Sequence, residues 1–236
     1  MDGKRLYLMG GFELRDRDGT LVDLPAASQR VLAFLALQER QVSRSILAGT
    51  LWPETNESRA GANLRSALWR LRQPGTELVR TTSTHLSLEA DVWVDVRESA
   101  LAARALIEGS GDGAATPDHR QFGGELLPDL WDAWLVVERE RLRQLHLHAL
   151  EQLSEVLAGR GRHAQSVLAA MAAVEMDPLR ESANRVLIQA YLAEGNRVEA
   201  IRRFDAYRTI LHDELRLLPS AELIRLVGVD APVMPG

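Results

Sequence analysis

Arg59, Asn63, Ser66 and Arg70 recur at spacings that put them on one side of a helix, opposite Leu64, Leu68 and Leu71. Arginine can reach guanine O6 and N7, asparagine pairs with adenine, and serine serves either base. Ala62 and Trp69 lie between and beside these polar residues. The pattern predicts a helix from about Ser58 to Arg72, closed by Pro74-Gly75. Ahead of it, Ser43 can cap a shorter helix whose apolar residues Ile46, Leu47 and Leu51 precede Pro53. The polar break Glu54 to Ser58 separates the two. Two short helices, the second with a polar reading face, form a helix-turn-helix pattern suited to the DNA major groove.

Within that pattern the outward residues divide by role. Arg70 and Ser66 are expected at base edges, and Asn63 and Arg72 nearer the phosphates. Arg59 and Arg65 add charge to the same helix, and Ser43 and Arg44 complete the DNA-facing set at the start of the shorter one. Trp69 joins this set as a residue that packs on sugar or on a thymine methyl. The competing reading folds it back against Val79 as a cap on a small core.

The helices need a frame. Leu6-Tyr7-Leu8, Phe12-Glu13-Leu14 and Leu21 to Leu24 read as short strands, with Asp18-Gly19 turning between the last two. Pro25 ends this sheet, and Ser28 can cap a helix running to about Gln38. Beyond Arg72, residues 77–80 and 85–88 read as a hairpin whose tip is Thr82, Ser83 and Thr84, with His85 beside it. A strand at Val92-Trp93-Val94 follows. A hairpin after a recognition-type helix is a wing, and its hydroxyl-rich tip suits phosphate contact.

Ala26 to Leu37, Val42-Ser43-Arg44, Leu51-Trp52-Pro53 and Ala62 to Arg72 resemble, in that order, the winged helix of the SARP/AfsR regulators. Gly124 to Asp129 and Trp134 to Leu142 look like the start of that family's bacterial transcriptional activation domain. Asp177 to Ala183 and Leu192 to Asn196 resemble its later helices. Where relatives place Gly-Tyr after the wing's first strand, this chain has Thr84-His85. The resemblance implies an activator of secondary-metabolite genes. It implies protomers side by side on direct repeats of double-stranded DNA, in contact with RNA polymerase and its sigma factor. It also implies that the break Glu54 to Ser58 faces the polymerase.

Composition bounds the alternatives. The chain has 236 residues, 46% of them hydrophobic, enough for one large or two modest domains. It contains no cysteine, so neither disulfides nor a thiolate metal site arise, which fits a reducing cytoplasm. No apolar run of about 18 residues occurs, so no membrane span is expected. Residues 1–98 hold 13 Lys+Arg and 13 Asp+Glu, whereas residues 99–236 hold 15 and 20. The second stretch therefore carries the whole net charge of −5. The first must attract DNA by local clustering, and few phosphate contacts favour two protomers on a repeated site.

The second half reads as helical. Its glycine-rich stretch 109–117 lacks the Gly-Lys-Ser/Thr of a phosphate cradle and reads as a loop. An offset of 34 aligns Gly161 with Gly195, Ala164 with Val198, Val167 with Ile201, Ala149 with Ala183 and Leu153 with Leu187. That is the tetratricopeptide period, and a third, less regular unit is expected over 96–158. His146 and His148 point to different helix faces and cannot share a metal. The run Glu138-Arg139-Glu140-Arg141, with Glu138 facing Arg141 and Glu140 facing Arg143, reads as a solvated face.

The expected fold is mainly α with a small β component. A winged helix-turn-helix over 1–95 precedes an all-α, tetratricopeptide-like repeat domain over 96–230. No catalytic constellation, cofactor or metal is expected. A nucleoid-associated homodimeric DNA-binding activator is the leading reading. The alternatives are a protein-interaction scaffold with a degenerate winged helix, and the amino-terminal part of a larger regulator; the Pro232, Pro235 and Gly236 ending favours a complete short protein.

Overall fold

The computed structural model describes residues 3–72, 77–109 and 116–228. Pro74-Gly75, most of the glycine-rich loop, and the ending Pro232 to Gly236 therefore lie outside the described residues. The fold is mostly helical with two small sheets, and the chain divides into two compact units.

One unit comprises Met1–Leu101 with Gly124–Leu142. Its first sheet joins β1 (Arg5–Tyr7), β2 (Glu13–Arg15) and β6 (Trp93–Val94), with β1 central. Leu6 faces Leu14 on one side and Val94 on the other, and all three are buried. The expected third strand over Leu21 to Leu24 shrinks to a bridge between Arg15 and Leu21. The Asp16 carboxylate accepts the Asp18 and Thr20 backbone N–H groups at 3.0 Å, and this tight turn returns only briefly before Pro25. Asp95, at the start of α4 (Asp95–Ile107), accepts N–H groups of Leu8, Met9 and Val96 at 2.7–3.0 Å and so pins β1. Burial pushes its carboxyl pKa up, and those N–H groups oppose the rise.

Three helices follow, α1 (Ala26–Leu37), α2 (Arg44–Leu51) and α3 (Glu57–Leu71). The second sheet joins β3 (Val42–Ser43), β5 (His85–Leu88) and β4 (Val79–Thr81), the last two forming the wing. Ser43 does cap α2, accepting from Ile46 N. Ser28 does not cap α1: Pro25 holds that place, and Ser28 is fully buried, donating to the Ala67 carbonyl at 3.1 Å. A hydroxyl that looked like a helix start is thus a tie between α1 and α3.

The stretch Gly124–Leu142, expected in the helical domain, packs instead on the winged helix. Leu127 N donates to Leu8 O at 2.9 Å and Gly10 N to Glu125 O at 2.8 Å. Arg30 grips the Asp132 carboxylate with Nε and Nη2, reaches the Leu51 carbonyl, and lies over the Trp52 ring. Trp134 meets Phe34 edge-on at 5.0 Å, and Leu126, Leu127 and Leu135 enter the same core. Arg139, expected on a solvated face, donates to the carbonyls of Leu126, Leu127 and Leu130. A cut at 95/96 would strip these leucines from the core they complete.

The other unit comprises Ala102–Gly123 with Arg143–Gly236. It contains the end of α5 (Ala133–Gly159), then α6 (His163–Met176), α7 (Glu181–Glu194), α8 (Arg197–Leu215) and α9 (Ala221–Val227). The 34-residue period is written into the backbone. Gly161 and Gly195 both have positive φ, at 72° and 85°. Gly161 N donates to Ala158 O and Arg162 N to Leu157 O; 34 residues on, Gly195 N donates to Leu192 O and Asn196 N to Tyr191 O. Both turns are thus left-handed closures in which glycine avoids a Cβ clash. Ala149, Ala183, Leu153 and Leu187 are all buried. Within 96–158, Gly124–Leu142 belongs to the other core, while Ala103, Phe122, Leu147 and Leu153 pack with residues of α6 and α7.

Two measurements test this packing. Leu135 is fully buried in the winged-helix unit, so Leu135→Ala should cost about 2–5 kcal/mol in urea unfolding; a near-neutral change would detach Gly124–Leu142 from that core. His146 is buried against Phe122, and desolvation lowers its pKa to about 4, partly opposed by a hydrogen bond to the Phe122 backbone. An unfolded histidine titrates near 6.5, so below that pH the unfolded chain gains a proton that the folded chain refuses. Stability intact above about pH 6.5 should fall by up to roughly 3 kcal/mol toward pH 4, and His146→Gln should flatten that decline. An unchanged slope in the variant would assign the loss to other groups.

Candidate nucleic-acid interface

The roll of α3 is set from within. Ala60, Leu64, Ala67, Leu68 and Leu71 are buried, and Asn56 caps the helix by accepting the Arg59 N–H at 2.9 Å. With that stripe fixed, Arg59, Ala62, Arg65, Ser66, Trp69, Arg70 and Arg72 are exposed and Asn63 is half-buried. The helix therefore displays together the residues expected to read bases. Among the described residues, no carboxylate pairs with Arg59, Arg65, Arg70 or Arg72. Three such guanidiniums on α3 and one at its C-cap gather positive charge locally in a stretch of zero net charge.

Trp69 is 74% exposed, which removes the reading in which it caps the core against Val79. Ile46, expected inward on α2, is also exposed: Leu47, Ala48 and Leu51 supply the buried face.

The wing is tied to the start of α2. Ser43 pairs with His85 across the sheet, Arg44 N donates to Thr84 O at 2.9 Å, and Arg44 Nη1 to Thr82 O at 3.3 Å. Ser43 spends its hydroxyl on the cap and on Ser45 at 2.7 Å. Thr82, Ser83, Thr84 and His85 are all exposed at the tip, yet their hydroxyls are not equally free. Thr82 Oγ1 accepts from His85 N at 2.9 Å and donates to the His85 carbonyl, and Thr84 Oγ1 bonds His85 Nδ1 at 2.9 Å. These bonds build the turn, so Ser83 is the tip hydroxyl left facing outward.

Sequence reasoning passed over Arg80, which stands exposed on β4 and pairs with Glu89 at 3.4 Å. Strand alternation from Val79, which packs on the core and pairs with buried Leu88, carried that signal. It also passed over a shallow cleft of about 450 Å³ between α2 and α3, lined by Arg44, Ser45, Glu57, Ser58 and Arg65 among others. Only the packing of two helix starts brings those residues together.

A helix-turn-helix with a wing, joined in one chain to a tetratricopeptide-like helical unit, defines a regulator of transcription. Residues 90–228 match the family described as bacterial transcriptional activator domain. The regulatory protein AfsR of Streptomyces coelicolor is 30% identical over 210 residues, covering 78% of this chain and 21% of AfsR. AfsR of Streptomyces griseus is 28% identical over 225 residues, covering 89% and 23%. This chain thus spans about a fifth of the length of those curated relatives. Mycobacterium tuberculosis EmbR, solved in complex with a low-affinity phosphopeptide, superposes with a TM-score of 0.74 at 22% identity, covering 96% of this chain and 64% of EmbR. The chain belongs to the SARP/AfsR family of transcriptional regulators.

The burial pattern predicts different effects at Trp69 and Ser28. Trp69→Ala should leave the melting temperature nearly level, because exposed side chains away from caps and cores change stability by about 0.5 kcal/mol or less. Ser28→Ala should lower stability by about 1 kcal/mol through loss of its buried bond to Ala67. Thermal denaturation of both variants checks this; a large drop for Trp69→Ala would return it to the core.

Proposed function

We propose that this chain is a cytoplasmic, nucleoid-associated transcriptional activator that reads double-stranded DNA through α3. Two protomers bind side by side on direct repeats as a homodimer on DNA and engage RNA polymerase through its sigma factor. The observation that carries the reading is the outward face of α3, where Arg59, Asn63, Ser66 and Arg70 stand opposite a fully buried leucine stripe that Arg65 and Arg72 flank. Arg70 and Ser66 read base edges, while Arg72 and Asn63, with Arg44 and Ser83 from α2 and the wing, hold the backbone. Family membership supports the regulatory role, and the resemblance supports the repeat and the polymerase. In this division of labour the winged helix over 1–95 supplies DNA affinity and residues 96–230 supply activation.

Charge limits how tightly one protomer can hold. If Arg59 and Arg65 join Arg44 and Arg72 at phosphates, four neutralised phosphates give a log–log salt slope of roughly −4 per protomer, and affinity that fades between 50 and 200 mM salt unless a second protomer adds its own contacts. Duplexes enriched from a genomic library, with random DNA competing, supply the probe for anisotropy titrations at several salt concentrations. Arg70→Ala should cost about 1–3 kcal/mol on the enriched site and relax preference at one base position. Arg72→Ala should weaken enriched and random duplexes alike and make the slope shallower by about one. Equal loss on both duplexes for Arg70→Ala would remove it from base reading. Failure of the wild-type chain to enrich any sequence would leave the scaffold reading in its place.

A further inference from the structure

The outward face of α3 has two stripes of different chemistry. At about 100° per residue, Arg59, Asn63 and Arg70 cluster within one narrow arc. Ala62 and Trp69, separated by two turns, share a second arc, with Ser66 at the border between the two. Ala62 is exposed and Trp69 is 74% exposed, although α3 buries five other apolar residues completely enough to fix its roll. The Trp69 neighbours one turn back are Arg65 and Ser66, so no apolar partner on its own helix covers the indole. An indole offers one N–H donor and no acceptor, and its larger part is apolar. The major groove presents a single apolar feature, the thymine C5-methyl, which alanine and aromatic side chains contact.

We infer that Trp69 is a specificity-determining residue that reads a thymine methyl, with Ala62 two turns away on the same stripe, so that α3 selects thymine on one side and hydrogen-bonding base edges on the other. This rests on the reading of α3 as the DNA-recognition helix. It assigns the A·T part of the preference to a side chain that makes no base-edge hydrogen bond.

Replacing single thymines by deoxyuridine removes the methyl and leaves every base-pair hydrogen bond intact. The full chain is first used to select its preferred duplex from a random library, and each thymine is then replaced in turn. At one or two positions the wild-type protein should bind the uracil duplex about four-fold more weakly, the loss expected for one unburied methyl. Trp69→Ala should bind the thymine duplex more weakly than wild type and be indifferent to the same replacement, while Trp69→Phe should keep part of the discrimination. Sensitivity to uracil that is equal in wild type and Trp69→Ala, or absent at every thymine, would overturn the inference while leaving α3 as the reading helix. Selection of no sequence at all would overturn both.

Discussion

Leu64, Leu68 and Leu71 fix the roll of α3, and every proposed role in the winged helix follows from that angle. Burying a leucine side chain is favourable by roughly 1.5–3 kcal/mol. A turn of the helix by one residue would lift part of the stripe into water and press Arg65 or Arg72 into the core. The helix is therefore held at one azimuth, and the polar face is committed outward without any interaction of its own. Ser28, bonded to the Ala67 carbonyl from α1, adds a directional tie to this apolar constraint. Recognition chemistry can vary freely on the outer face because none of it takes part in holding the helix.

The same core is completed from far along the chain. Leu126, Leu127 and Leu135 join Leu6, Leu8 and Leu14 in one apolar cluster, and Arg30 links α1, the end of α2 and Asp132. Arg30 and Asp132 are both largely withdrawn from water. Removing either would leave the other charge partly buried and unpaired, which costs far more than an exposed pair is worth. Both α4 and α5 contribute residues to each compact unit. Residues 90–228 that match the activator family accordingly include segments from both cores.

Periodic features were legible in the sequence. The leucine stripe of α3, the wing hairpin and the 34-residue offset rest on spacing, and each recurs in the structure in burial or backbone hydrogen bonds. What failed to show was dual-use chemistry. Ser28 follows Pro25 as a capping serine would, but a buried carbonyl one helix away decides its partner. Arg139 sits in a run of alternating charges that reads as solvated, yet three carbonyls from Leu126 to Leu130 turn it inward. Ile46 is apolar and helical in spacing, but Leu47 and Leu51 already fill the core side of α2. Such partners lie far apart in sequence or depend on which of two adjacent apolar residues wins the core, and no local pattern encodes either.

The wing illustrates how a hydroxyl-rich segment can mislead. Thr82, Ser83 and Thr84 look equally available, but a tight turn exposes backbone groups that must be satisfied, and nearby threonines satisfy them first. Thr82 closes the turn onto His85, and Thr84 holds the imidazole. The outward chemistry of the tip narrows to Ser83. Arg44, the first residue of α2, donates to the Thr82 carbonyl and links the tip to that helix. On the proposed reading, sequence discrimination falls to α3, whose outer face carries one hydrogen-bonding stripe and one apolar stripe.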